Sequence, residues 1–324
     1  MTRTGHNRAR RSLIALAAGL GLAGAGATAL AAQPAAVTAA GTDDAMPYAV
    51  EDFPDTLQVM SWNMCGPRRA TYNCDLAVTP EMKVKVVTDQ VARNRVEAVL
   101  LQEVCEDDLA LLMTRLGPGW SKSFEQYEWA QFVGGERRTW KSRCGEDDGG
   151  RADRVGTAIV ARGALTDARK YPVVQPEQGQ QTPFQCATAT LRDVRLCSVH
   201  ATRVGANPHD PTQDLRDEQY AQIRDVVRTF PRVVFGGDFN SRPPEDPTGG
   251  KAAWPAGLYS TGPGTPGYRE CDQSGTARVG RPTYNPTPAK LDYLFSSESP
   301  RWCTVTETPA SDHRFLVESV GLGR

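Results

Sequence analysis

Short apolar runs that each close on a polar side chain able to ligate a cation or move a proton recur along this chain, and that recurrence limits the folds open to it. Gly236-Gly237-Asp238-Phe239-Asn240-Ser241 ends the run Val233-Val234-Phe235 on two polar side chains spaced i, i+2. On a strand that spacing points both groups to one face. The two glycines let a phosphate or a second loop come close to the backbone. Asn63 closes Leu57–Trp62, Glu103 closes Ala98–Gln102, His200 closes Arg195–Val199, Asp292 lies inside Lys290–Ser296, and Asp312-His313 follows. An acid and an amide held at a strand end can position a water, a metal or a phosphate oxygen. One such end would mean little, but six imply strands that deliver polar groups to a shared catalytic pocket.

Between these strands the spacing predicts helices. Pro80–Asn94 opens on a proline suited to a first helical turn and places Met82, Val86, Val87 and Val91 on a buried stripe. Asp108–Leu116 reads as a short helix, and Asp214–Thr229 as one carrying Ile223, Val226, Val227 and Phe230 inward. Val155–Ala161, Phe184–Leu191, Val194–Thr202, Arg232–Asp238 and Arg314–Val320 read as further strands, and Gly249–Pro288 as a long loop region rich in turn residues. Alternating strands and helices with one hairpin give a mixed α/β (α+β) domain.

Residues 1–31 read as a signal peptide. Arg3, Arg8, Arg10 and Arg11 precede a small-residue apolar stretch, Leu13–Leu30, and Ala29-Leu30-Ala31 offers a cleavage site. Arg10-Arg11 also fits a twin-arginine signal. Residues 32–50 form an Ala-rich segment with too little apolar bulk to pack, expected to be disordered. Residues 51–324 form one domain, expected to be secreted, extracellular and monomeric, with no membrane span once processed. The eight cysteines of an exported chain imply disulfides. They show no C-x-x-C spacing, and with scattered histidines they exclude a zinc pattern. Nearest neighbours are the expected pairs: Cys65–Cys74, Cys105–Cys144, Cys186–Cys197 and Cys271–Cys303. The third is the best supported, because a hairpin about Arg192-Asp193 would set its two cysteines opposite each other. A net charge of −1 offers no bulk attraction for polyanions, so any nucleic-acid contact must come from local patches.

Trp62-Asn63, Gln102-Glu103, Ser198-Val199-His200, Gly237-Asp238-Phe239-Asn240, Lys290–Phe295 and Ser311-Asp312-His313 stand in the order that resembles the endonuclease/exonuclease/phosphatase superfamily, secreted deoxyribonuclease I-like members included. The likeness spans roughly residues 55 to 322. It implies a four-layer sandwich of two mixed β-sheets flanked by helices, and a Mg²⁺-dependent hydrolase of phosphate esters, with Mn²⁺ or Ca²⁺ as substitutes. It further implies that Asn63, Glu103 and Asp312 serve the metal, and that His200, Asp238, Asn240, Asp292 and His313 are catalytic. Asp238 would orient or deprotonate the attacking water and Asn240 would donate to a phosphate oxygen. His200 would protonate the leaving oxygen or bind the phosphate. His313, paired with Asp292, would act as base or as cation. Which of Asp238 and His313 takes the proton stays open here. Arg216 and Gln219 are expected to be structural.

Nucleic acid is the expected substrate, with phospholipid or inositol phosphate as the alternative on the same residues and a non-catalytic binding or toxin subunit as a third. Arg137, Arg138 and Arg154, with Lys141, Arg143, Arg151, Trp129 and Trp140 nearby, suit phosphates and bases. Glu146-Asp147-Asp148 interrupts the stretch, so it reads equally as a solvated loop. Deoxyribonuclease I-like enzymes carry a groove-reading arginine where this chain has Cys105, so that device is absent. No long exposed apolar hairpin of the kind that docks sphingomyelinases into a bilayer is legible, and Val204–Pro208 is short and barely apolar.

Overall fold

The computed structural model describes residues 55–67, 74, 77–145, 151–203, 205, 207–243, 254–260, 267–273, 278 and 280–322. The expected signal peptide, the Ala-rich segment, Glu146-Asp147-Asp148 and Val204 lie outside these residues. The first half of the domain runs β1 (Thr56–Asn63), α1 (Pro80–Asn94), β2 (Ala98–Cys105), α2 (Glu106–Leu116), β3 (Trp120–Gln126), β4 (Glu128–Val133), β5 (Glu136–Lys141), β6 (Arg143–Gly145) and β7 (Arg151–Arg162). After β8 (Leu165–Tyr171) and β9 (Gly179–Gln181) come β10 (Phe184–Ala189), β11 (Val194–His200), α3 (Leu215–Val227) and β12 (Val233–Asp238). β13 (Arg269–Glu270), β14 (Asp292–Ser296), β15 (Pro300–Thr306) and β16 (Phe315–Gly321) complete it.

One sheet has the order β15-β16-β1-β2-β7-β3, with β6 also on β7; the second has the order β13-β14-β12-β11-β10-β8. Each is mixed: β1 and β2 are parallel in the first, β11 and β12 in the second, while their other pairings are antiparallel. Leu57, Val59, Leu100 and Ile159 of the first sheet pack against Ala187, Leu196, Val234 and Leu294 of the second. On the outer face of the first sheet, Met60, Trp62, Val99 and Leu101 meet Val84 and Val87 of α1 and Leu109 and Leu112 of α2. On the outer face of the second, Phe235 and Phe295 meet Tyr220, Ile223 and Val227 of α3. The result is the four-layer sandwich. Strands covered on both faces read as unbroken apolar runs, and each large side chain fully buried there contributes roughly 1.5–3 kcal/mol.

Several elements depart from the sequence expectation. The α1 helix begins at Pro80, with Thr79 Oγ1 accepting from Met82 N at 3.3 Å, but its buried positions are Lys83, Val84 and Val87. Met82 stays 42% exposed, so the apolar stripe is rotated from the one expected. Within Gly249–Pro288 the described residues include β13 and a short 3-10 turn, Ala256–Leu258. Residues 128–141 are neither loop nor simply polar: β4 and β5 form an antiparallel hairpin joined to β9, turning at Gly134-Gly135, both with positive φ. That hairpin exposes Trp129, Phe132, Val133 and Trp140 among polar residues and glycines, which is not the long apolar hairpin whose absence the sequence implies. The four disulfides join Cys65–Cys74, Cys105–Cys144, Cys186–Cys197 and Cys271–Cys303, the neighbour pairs expected, with Cys186 directly opposite Cys197 on β10 and β11.

Glu318 of β16 sits in this interior with neither carboxyl oxygen hydrogen-bonded among the described residues. Burial, and then the neighbouring Glu270, hold its pKa well above the ordinary carboxylate value. A raised folded pKa means the folded state keeps a proton that the unfolded chain releases. The associated stability is present below about pH 4.5 and is lost as pH rises toward the folded value. Glu318→Gln should therefore raise the melting temperature at pH 8 relative to wild type, and the gap should close as pH falls below about 4.5. A gap that is constant from about pH 4 to 9 would contradict a proton held on Glu318.

Candidate active site

Strand register brings most of the polar groups into one place. In the second sheet, His200 of β11 pairs in register with Asp238 of β12, and Asp238 with Asp292 of β14, so three polar residues form one row across three strands. In the first sheet Asn63 ends β1 opposite Gln102 of β2, and Glu103 follows. Glu103 lies at a bulge where the β2–β7 register shifts between Leu101 and Val104, and its φ is +51°. Non-glycine residues with positive φ are uncommon, and here the bulge re-aims a carboxylate, as bulges beside functional sites do. Gly66 N donates to Glu103 O at 2.8 Å, and a Cβ on Gly66 would lie 2.1 Å from that oxygen, so only glycine fits.

Asp238 Oδ2 is the point of convergence. Asn63 Nδ2 donates to it at 3.3 Å, while His200 Nε2 and His313 Nε2 approach to 3.7 and 3.8 Å. Its Oδ1 accepts from Asn240 N at 2.7 Å. Burial, with Asp292 adding to it, raises the Asp238 pKa against the opposing pull of the two imidazoles. His200 Nε2 is also 3.9 Å from Glu103 Oε1. His313 Nδ1 contacts Asp292 Oδ2 at 2.8 Å, and Asp292 N in turn donates to Thr283 Oγ1. Ser311 Oγ donates to Asn63 O at 2.8 Å and accepts from His313 N, which ties the loop before β16 to the end of β1.

The two imidazoles have opposite electrostatics. Burial pushes His200 down to about 4, against the pull of Asp238. Burial alone would also push His313 down, but the charges of Asp292, Asp238 and Asp312 outweigh it and lift His313 to about 10. Tyr127 joins the site without any local signal in the sequence. Its hydroxyl accepts from Glu103 N at 3.1 Å and lies 2.8 Å from His200 Nδ1. With one oxygen lone pair taken by Glu103 N, we assign the hydroxyl proton to Nδ1, which leaves a neutral His200 with its own proton on Nε2.

The set of donors fits a hard divalent cation. Four carboxyl groups (Glu103, Asp238, Asp292 and Asp312) share the region with one imidazole favoured as a cation. Burial, reinforced by Asp312 and Asp238, raises Glu103 to about 7, and burial raises Asp312 as well. Buried oxygens facing like charge are the groups that a cation with oxygen-ligand preference would compensate. Asn63 is less free to ligate, because its Oδ1 accepts from Cys65 N at 3.0 Å and its amide nitrogen turns to Asp238. Asp238, Asp292 and His313 also lie within 4.8 Å of one another, but the His313 nitrogen nearer Asp292 is engaged by that carboxylate.

Other expected residues take different places. Asn240, with φ +50°, donates one amide N–H to Ala201 O at 2.9 Å, and its carbonyl accepts from Arg216 Nη1. Arg216 is also paired with Asp214, and Gln219 Oε1 accepts from Thr202 N, so both brace the loops after β11 and β12. Arg154 lies on β7 in an ion pair with Glu106 and over the Phe124 ring. Arg137 and Arg138 lie on β5, where Arg137 bonds Glu177 O and Gln181 Oε1. Arg154 and Arg137 are thus bonded to residues outside the Asp238 cluster.

The model of the Endonuclease/Exonuclease/phosphatase family matches residues 60–313. No curated protein is similar enough to the chain to match it. Among solved structures, D. rerio TDP2 complexed with single strand DNA product is 16% identical, with a TM-score of 0.53, over 82% of this chain and 98% of that one. The human Nocturnin catalytic domain with bound sulfate anion is 15% identical, with a TM-score of 0.53, over 82% and 94%. A protein of the same family from Beutenbergia cavernae is 17% identical, with a TM-score of 0.54, over 83% and 72%. At such identities the likeness concerns the fold.

In the metal-free protein, ¹⁵N-detected imidazole spectra at pH 7 should show His313 as the cation and His200 as the neutral Nε2–H tautomer. His313 should titrate near 10 and His200 near 4. Asp292→Asn should bring the His313 transition down. Two unperturbed titrations near about 6.5 would contradict the assignment.

Proposed function

The chain belongs to the endonuclease/exonuclease/phosphatase family, and from that footing we propose that it is a secreted, divalent-cation-dependent phosphodiesterase that cleaves extracellular DNA or RNA. The observation that carries the reading is the convergence of Asn63, His200 and His313 on Asp238 Oδ2, with Glu103 beside them. That arrangement suits in-line attack of water on a tetrahedral phosphorus, in which a new P–O bond forms as the opposite P–O ester bond breaks and the leaving oxygen takes its proton from solvent. Asp238 receives the proton of the attacking water. Its two oxygens are already oriented by Asn240 N and Asn63 Nδ2, and its raised basicity suits a base. His313, fixed by Asp292, presents an Nε2–H beside Asp238 and stabilises charge developing on the phosphate. Of the two roles expected for His200, holding the phosphate is better supported, because a neutral ring whose Nδ1 faces Tyr127 keeps Nε2–H as a donor. Asn240 has a second amide N–H for a non-bridging oxygen.

Glu103 and Asp312 would hold Mg²⁺, with Asn63 steadying Glu103 and Asp238 through its amide. When bound, the ion supplies Lewis-acid neutralisation of charge on the scissile phosphate. Nucleic acid as substrate is supported by the fold shared with a TDP2 complexed with single strand DNA product, and an oxyanion ligand by the fold shared with a Nocturnin catalytic domain with bound sulfate anion. Export is supported by four disulfides, and no helix among the described residues is long and apolar enough to cross a membrane. A second reading, cleavage of a phospholipid head group by the same residues, draws on the exposed apolar residues of the β4–β5 hairpin.

Supercoiled plasmid, RNA, sphingomyelin and phosphoinositides, each with Mg²⁺ and with EDTA, separate these readings. We expect nicking of plasmid or degradation of RNA that EDTA abolishes. Asp238→Asn and His313→Gln should each lose about 10²-fold or more in rate, the scale of a positioned acid–base group. Intact plasmid and RNA beside a hydrolysed lipid would overturn the nuclease reading.

A further inference from the structure

Near its base the β4–β5 hairpin is held to the protein on one face, while farther out both faces are exposed, Phe132 at 41% on the anchored side included. Side chains directly opposite on an antiparallel pair share a face. The anchored face carries Ala130, which is fully buried, the Glu128–Lys141 ion pair at 2.6 Å, and Arg137, bonded to Glu177 O and Gln181 Oε1. The open face carries Trp129 opposite Trp140, Gln131 opposite Arg138, and Val133 opposite Glu136. Trp129 is 38% and Trp140 41% exposed, an unusual amount for two adjacent indoles. Among the described residues the ion pair of Arg138 is with Glu136, at 3.5 Å between two exposed side chains, and such a pair is worth little. Its guanidinium therefore remains available to another anion.

This face begins at the site. Tyr127, whose hydroxyl touches His200 and Glu103, immediately precedes β4, and Ser142 N just past β5 donates to Tyr127 O at 2.9 Å. At a strand rise of about 3.4 Å per residue, Trp129 is about 7 Å along the strand from Tyr127 and Gln131, opposite Arg138, about 14 Å. Within residues 128–143 four basic side chains (Arg137, Arg138, Lys141 and Arg143) face two acidic ones (Glu128 and Glu136), a local excess of 4 − 2 = +2 on a chain of net charge −1.

We propose that the Trp129–Trp140 pair with Arg138 is a stacking subsite for a single strand of nucleic acid, engaging bases next to the phosphate held at Asp238. The inference rests on the nuclease reading of the site and adds a strand-binding platform to it. Every base offers a π-face, so two indoles bind it without reading sequence, and the guanidinium meets the adjoining phosphate. The tip argues against a bilayer as the occupant. Inserting Val133-Gly134-Gly135-Glu136 would put turn backbone and a carboxylate, 78% exposed here, into hydrocarbon, at a cost of several kcal/mol.

The test uses purified protein in EDTA with ten-residue oligothymidylate and oligoadenylate, alongside neutral and anionic phospholipid vesicles. Intrinsic tryptophan fluorescence should be quenched by both oligonucleotides, and Trp129→Ala/Trp140→Ala should weaken their binding at least about tenfold. Trp129→Phe/Trp140→Phe should restore most of it. Hydrolysis of bis(p-nitrophenyl) phosphate with Mg²⁺ should stay at the wild-type rate in all of these variants, which reports that fold and site are intact. Arg138→Gln should flatten the salt dependence of binding by about one ion. Wild-type affinity in the alanine variant, or a blue shift with vesicles and none with oligonucleotides, would overturn the subsite. Failure of the nuclease reading has a different signature: no cleavage of any nucleic acid by wild type, whatever the hairpin binds.

Discussion

Placing several carboxyl groups around Asp238 in a buried pocket is the constraint that the rest of this structure serves. A charge taken out of water is costly unless it is paired and hydrogen-bonded. Hydrogen bonds answer part of it: Asp238 accepts from Asn63 and Asn240, and Asp292 Oδ2 holds His313. Burial still raises Asp238, Glu103 and Asp312 together. That shared uncompensated burial, more than any single ligand, is why the pocket suits an added cation. The two imidazoles split because the charges of Asp292, Asp238 and Asp312 outweigh burial at His313, while burial outweighs the pull of Asp238 at His200.

Holding such a pocket requires a rigid frame, and the strand register provides one. His200, Asp238 and Asp292 are neighbours in register, so their separation is set by backbone hydrogen bonds and not by flexible loops. Beneath them a polar layer joins the two sheets. Gln102 Nε2 donates to Ser198 Oγ at 3.1 Å, Ser198 Oγ pairs with Thr157 Oγ1 at 2.6 Å, and Gln185 Nε2 reaches Thr157 O. The glycines of the Gly236-Gly237-Asp238 motif belong to this layer. A Cβ on Gly237 would lie 1.8 Å from Val199 O and 2.9 Å from Gln102 Nε2; on Gly236 it would meet Tyr293 O at 2.4 Å. The close approach they allow is between strands β11, β12 and β14, so what they serve is the packing of the strands that carry His200, Asp238 and Asp292.

Residues that close apolar runs are legible in the sequence because burial on both faces makes the strands themselves conspicuous. Asn63, Glu103, His200 and Asp238 fall in that class, while Asp292 opens β14. Tyr127 does not, since it lies between β3 and β4, whose residues are mostly half-exposed and mixed in polarity. Its partner His200 is 73 positions away, beyond the reach of any local pattern. Thr283 is hidden for the same reason, although its hydroxyl accepts from both Leu291 N and Asp292 N. The phase of α1 is ambiguous in the sequence because its valines permit two neighbouring stripes, and only packing against Trp62 and Leu101 chooses between them.

Cys105 ties these parts together. Its disulfide to Cys144 joins the end of β2, two residues past Glu103, to β6, just beyond the hairpin. Tyr127, Val155 and the two cysteines form a small buried cluster of their own. The bridge therefore constrains one segment carrying a carboxylate of the pocket and another carrying an exposed aromatic face. A side chain at position 105 that reached outward to a ligand could not also be this crosslink. The chain has given that position to scaffolding. Tyr127 is where the two meet, since one hydroxyl touches both His200 and the backbone of Glu103 while the next residue begins the hairpin.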